Sequence, residues 1–217
     1  SALAPDIAVI QECERPDKWP DLGATSVLWH GDNPHKGLAV LAFGSWRVEP
    51  APVLDAPVLH DPVQYVLPAR VLGPQPFNLL GVWAKAHAVR ERSYVGQVHA
   101  ALDAYAPWLL AGPSVLAGDL NSNAIWDTPR RPAHARLTQR LADCGLTSAY
   151  HSYTGEAHGA ETQPTLYLLK QARRPYHLDY LFLPQDWLPR LKTVQVGAAD
   201  AWLAYSDHVP VVADVQL

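Results

Sequence analysis

The chain has 217 residues, 48% hydrophobic and 18% charged, which suits one fairly large domain with a full core. A formal charge of −4 excludes broad basic adhesion to nucleic acid or anionic lipid and leaves room only for a local basic groove. No apolar run is long enough to cross a membrane and no signal peptide is visible. Cys13 and Cys144 stand far apart beside apolar sequence, so two reduced structural thiols and a cytoplasmic location are expected.

Strand-length apolar runs recur at 6–11, 24–29, 37–43, 63–67 and 77–84. Residues 91–111 then change period, with Tyr94, Val95, Val98, Leu102, Tyr105 and Leu109 at helical spacing. A strand run follows at 114–118, and Leu137 and Leu141 mark a second helix over 133–143. The remaining strand runs are 178–183, 193–197 and 209–215, with a short third helix expected over 184–191. Twenty prolines are scattered and no repeat or linker is visible, so residues 1–217 read as one mixed α/β domain.

Four polar clusters sit at the ends of these runs. Gln11-Glu12 follows one strand, and Gly118-Asp119-Leu120-Asn121 follows another. His177-Leu178-Asp179-Tyr180 opens a third, and Ser206-Asp207-His208 precedes a fourth. Any one of them alone is an ordinary turn or cap. Asp179 would in that case pair with Arg173 or Arg174, and His208 would be a surface histidine. Together they collect carboxylates, an amide and an imidazole at strand ends, the parts of a metal-assisted hydrolase. Alternation places Asp119 and Asn121 on one side, while Asp207 and His208 reach one site only if the chain bends between them. His177 reads as structural.

In this order, P-D-I-x-x-x-Q-E, G-D-x-N, x-x-D-Y and S-D-H resemble the endonuclease/exonuclease/phosphatase superfamily, the group of exonuclease III and deoxyribonuclease I. G-D-L-N-S-N-A-I-W-D and Y-H-L-D-Y-L-F further resemble a compact bacterial branch. The resemblance implies an α/β fold of the two-sheet, four-layer sandwich type. It also implies metal-dependent phosphoester hydrolysis of nucleic acid, DNA foremost, by endo- or exonuclease action. A phosphatase, a lipid phosphodiesterase and a non-catalytic phosphate-binding domain are the alternatives.

By that resemblance Glu12 ligates Mg²⁺ or Mn²⁺, with Asp207 completing the site. Asp119 orients or deprotonates the attacking water, and Asn121 holds Asp119 and the phosphate. His208 donates to a phosphate oxygen, with Asp179 orienting and charging its ring. Trp83 stands where many members have a phosphate-contacting tyrosine; it offers a ring face and one N–H but no hydroxyl. Lys85, Arg90, Arg130 and Arg131 are candidates for a cationic rim, and Tyr94 and Trp126 for stacking on bases. Lys36 is a weaker candidate. The sequence opens after the point where members carry a first strand with a metal-supporting asparagine, and with no methionine residue 1 is not a translational start. A fold without that strand, with an edge open to self-association, is therefore expected.

Overall fold

The computed structural model of the chain describes residues 3–51, 65–131 and 133–217, with the backbone alone at Arg90. Strand β1 spans Ile7–Cys13, β2 Ser26–Asn33, β3 Lys36–Ala42, β4 Arg47–Pro50, β5 Val66–Leu72, β6 Phe77–Trp83 and β7 Ser114–Asp119. Beyond them lie β8 (Leu146–Ser148), β9 (Leu166–Tyr167), β10 (Pro175–Tyr176), β11 (Asp179–Pro184), β12 (Leu191–Val196) and β13 (Val211–Val215). Helices α1 (Val95–Leu110), α2 (Ala133–Asp143), α3 (Ala149–Thr154) and α4 (Ala199–Trp202) interrupt the strands.

β6 and β7 are buried at every position, because the sheet they centre is covered on both faces. That sheet has the order β4-β5-β6-β7-β11-β8, with β6 and β7 parallel and β11 antiparallel to β7. Alternation divides its side chains between two cores. On one face Leu80, Val82, Leu116, Tyr180 and Phe182 meet Val98, Leu102 and Leu109 of α1 and Leu137 and Leu141 of α2. On the other, Leu79, Trp83, Val115, Ala117 and Leu183 meet Leu38 and Val40 of β3, with Val9 and Val211 at the margin.

The second strand layer is divided. β1-β3-β2 form one antiparallel sheet and β12-β13 another. β1 lies against β6 and β7, whereas β13 lies against β11. Among the described residues neither β1 nor β13 pairs with a second strand, so each keeps one open edge. The expected α/β class with facing sheet layers holds, and the two long helices both pack on the six-stranded sheet.

Several local expectations shift. The helix expected over 184–191 is a 3-10 run, Gln185–Arg190, because Pro189 denies it α-helical hydrogen bonding. The helix expected over 91–111 begins at Val95, after a separate 3-10 turn at Arg90–Arg92. The strand expected over 63–67 runs from Val66 to Leu72; residues 63 and 64 lie outside the described ones. Both cysteines are free thiols, and burial pushes Cys13 up to about 11. None of the described helices is long and apolar enough to cross a membrane.

Candidate active site

Strand register builds the centre. Asp119 at the end of β7 pairs with Asp179 at the start of β11, and on its other side with Trp83 at the end of β6. Three strand ends therefore bring the two carboxylates side by side. Gly118, just before Asp119, adopts φ +137°, and a Cβ there would collide with the Val82 carbonyl oxygen and press on Gln11 Nε2 at 2.8 Å. The Gly-Asp pair is thus a close-approach position inside a strand, not a turn.

Asp119 is only 2% exposed. Its Oδ1 accepts the Asn121 backbone N–H at 2.7 Å, and its Oδ2 accepts the Asn121 side-chain amide at 2.7 Å. The same amide also donates to the Ala84 carbonyl at 2.7 Å, tying the loop back to β6. Asn121 adopts φ 43°, a left-handed conformation that Asn tolerates better than most residues. Burial pushes the Asp119 carboxyl well above the usual carboxylate range, and the nearby charges of Asp179 and Glu12 push it further.

Asp179 takes a partner other than Arg173 or Arg174. Its Oδ2 lies 2.8 Å from His208 Nδ1. Its backbone N–H, and that of Leu178, donate to Thr165 Oγ1 at 3.0 and 2.9 Å. Ser206 Oγ accepts the His208 backbone N–H at 3.0 Å, and Tyr167 N–H donates to the Asp207 carbonyl at 2.7 Å. These bonds make the bend that residues 206–208 require. Burial opposes charge on His208, but the Asp179 hydrogen bond and the charges of Asp179, Asp119 and Asp207 prevail, and its pKa is pushed up to about 9. The imidazolium is the neutral-pH form.

Glu12 adopts φ 56° where β1 breaks register with β3 between Gln11 and Cys13. Its Oε2 accepts from Lys36 Nζ at 2.5 Å, and the side chain is 46% exposed. Asp179 and Glu12 both raise the Asp119 carboxyl, so three carboxyl groups converge on this corner, with Lys36 on Glu12 and His208 on Asp179. Hard carboxylate oxygens are the donor type that fits Mg²⁺ or Mn²⁺. Among the described residues Glu12 and Asp207 belong to no ready-made cage of three ligands. An ion that keeps several waters needs only one or two carboxylates.

The expected rim is only partly gathered. Trp83 is 4% exposed and joins the core edge-on to Tyr65, with centroids 4.7 Å apart. A phosphate-contacting role for Trp83 is therefore corrected: its ring packs inward beneath the site. Lys85 Nζ instead lies 4.0 Å from the Tyr65 ring and 4.9 Å from the Trp83 ring, and cation–π attraction holds it there. Tyr94 is 46% exposed at the start of α1. Trp126 is 51% exposed and tilts on Tyr176 at 5.5 Å. Arg130 and Arg131 are exposed in the turn that Thr128 and Arg131 close. For Arg90 only the backbone, in the turn before α1, is described.

Tyr65 and Thr165 escaped the sequence reading, as did Tyr176. Tyr65 lies where the strand run was placed too early, and Thr165 has no local pattern to mark it.

No protein-family model matches the chain, and no curated protein matches its sequence. Solved structures do. A 3′ phosphatase, NExo, from Neisseria, bound to a product DNA hairpin, superimposes with TM-score 0.72 at 22% identity, over 98% of this chain and 90% of that one. An AP endonuclease from Archaeoglobus fulgidus gives TM-score 0.71 at 18% identity, over 98% and 90%. The catalytic domain of Xenopus laevis APE2 gives 0.70 at 13% identity, over 99% and 84%. The chain thus has the fold of the endonuclease/exonuclease/phosphatase proteins.

Proposed function

We propose that this protein belongs to the endonuclease/exonuclease/phosphatase superfamily and hydrolyses phosphodiester bonds in nucleic acid, DNA foremost, with a divalent metal. The observation that carries the reading is the pairing of Asp119 with Asp179 across β7 and β11, with His208 on Asp179 Oδ2 at 2.8 Å. Phosphoryl transfer asks for positioning and for relief of negative charge, and this array is built for both.

His208, charged and held through Nδ1, presents Nε2–H to a non-bridging phosphate oxygen. Asp179 fixes the ring and stabilises its charge. Asp119 takes the proton of the attacking water; its raised carboxyl suits a group that must accept one at neutral pH. Asn121 holds both Asp119 oxygens and keeps that carboxylate aimed. Glu12, with Asp207, would hold the Mg²⁺ or Mn²⁺ that neutralises charge on the phosphate. Lys85, Arg130 and Arg131 supply cationic contacts, and Tyr94 and Trp126 offer exposed faces to bases.

A second reading, removal of a terminal phosphate from DNA, is supported by the likeness to the Neisseria 3′ phosphatase. The test is a panel of labelled DNA, 3′-phosphorylated DNA, RNA, inositol phosphate and sphingomyelin with Mg²⁺, Mn²⁺ or EDTA. Cleavage of DNA with either metal and none in EDTA is expected. Release of phosphate without chain cleavage selects the second reading. Hydrolysis of the lipid or inositol substrates alone, or of none, refutes both.

A further inference from the structure

A second cluster of ligand-type side chains lies apart from the Asp119–Asp179 pair. His151 on α3, and His158 and Glu161 in the loop beyond, place ligand atoms within 4.8 Å of one another. They are well shielded: the His151 side chain is 9% exposed and that of Glu161 3%. The His151 and His158 rings stack with centroids 3.5 Å apart. Two further histidines close the group from behind, His134 at 0% exposure and His177 at 4%.

The hydrogen bonds prepare these rings for a cation. His177 Nδ1 lies 2.7 Å from the Gln163 carbonyl, which can only accept, so the proton is on Nδ1 and Nε2 carries a lone pair. That Nε2 is buried and has no hydrogen-bond partner. A buried lone pair without a partner calls for an explanation. The ring lies 6.1 Å from that of His151, centroid to centroid. His134 Nδ1 meets Ser122 Oγ at 3.0 Å and its Nε2 meets His158 Nδ1 at 3.0 Å. With the protons running His158 to His134 to Ser122, His158 keeps Nε2 free. His151 Nδ1 meets Ser148 Oγ at 2.7 Å, leaving Nε2 3.1 Å from Glu161 Oε1. Two ligands about 2.0–2.1 Å from one ion at a tetrahedral angle lie about 3.3 Å apart, so this pair already has the spacing.

Imidazole-rich donors with one carboxylate select a first-row transition ion over Mg²⁺.

We propose that His151, His158 and Glu161 bind Zn²⁺, with the fourth position open to water. The ion clamps the loop of His158 and Glu161 to α3. Thr165, four residues past Glu161, carries the effect to the catalytic array: its Oγ1 accepts from Asp179 N–H, and its carbonyl from Val209 N–H beside His208. The inference does not depend on the proposed hydrolase activity.

The test is zinc content and melting temperature of the full chain, stripped with chelator, reloaded with Zn²⁺ and desalted. One zinc per chain is expected in the parental protein and in Glu12→Ala, and none in His158→Ala or Glu161→Gln. Zinc at a hundredfold its dissociation constant should raise the melting temperature of the first two by about 5–10 °C and leave the others unmoved. Co²⁺ in Glu12→Ala should give the visible bands of a four-coordinate ion. Glu161→Gln keeps one acceptor oxygen for the Gly159 N–H and remains informative if His158→Ala does not fold. A parental protein that retains no zinc, zinc lost in Glu12→Ala, or zinc unchanged in Glu161→Gln overturns the site, the last two placing the ion elsewhere.

Discussion

Asp179→Asn isolates the contribution of one charge at the centre. It removes the carboxylate that faces His208 Nδ1 at 2.8 Å while leaving the ring's burial and the other acidic neighbours in place. A hydrogen bond to a charged partner contributes about 1.5–3 kcal/mol and one pH unit corresponds to about 1.4 kcal/mol. With the lost Coulomb attraction added, the His208 pKa should fall by about 2 units, from about 9 to about 7. The assay is an imidazole NMR titration of metal-free protein, which follows His208 directly. Linkage gives a second readout with a definite sign. The folded value lies above the unfolded one, so the stabilisation is complete below about 6.5 and is lost as pH rises through about 9. Allowing for the 29% exposure of the ring, the parental protein should lose about 2 kcal/mol across that window, and Asp179→Asn little. In turnover, Asp179→Asn and His208→Ala should each cost about 10²–10³-fold in kcat/KM, and the double variant hardly more, because the two act as a unit. A His208 titration unmoved by Asp179→Asn, or additive losses in the cycle, would refute the coupling.

Other consequences are as direct. Glu12→Ala should abolish most metal-dependent hydrolysis while urea unfolding stays within about 0.5 kcal/mol of parental, since a side chain 46% exposed carries little of the core; full turnover in excess EDTA would remove the metal. Arg130→Glu with Arg131→Glu should raise KM for DNA and flatten the slope of log K against log salt by about 2, a result absent if those arginines never meet phosphate. Gly118→Ala should destabilise by about 3 kcal/mol or more, read as a lower urea midpoint, because its Cβ meets the Val82 carbonyl in a left-handed conformation. Leu102→Ala, which empties a fully buried site between α1 and the sheet, should cost about 2–5 kcal/mol; a smaller loss would mean that the helix is not packed as described.

What the amino-acid order determined by itself is what repeats locally. β6, β7 and β11 are legible because both of their faces are buried and their runs are nearly continuous. The helices at 95–110 and 133–143 show the period of one apolar face. Asp119 and Asn121 do meet, but through the left-handed turn at Asn121 beyond the end of β7, which two-residue alternation does not describe. Short elements such as β4, β8, β9 and β10 were not legible, since two to four residues carry no period and their stability comes from the strand they pair with. Register and side-chain direction were decided only by the tertiary structure. It set Asp179 opposite Asp119, turned His208 onto Asp179 through the bend at Ser206, and sent Trp83 inward while Lys85 took up its ring face. It alone assembled His134, His151, His158, Glu161 and His177, which are spread over three connections and share no motif. Chemistry that depends on distance across strands has no counterpart in spacing along the chain, because separation in sequence does not determine separation in space.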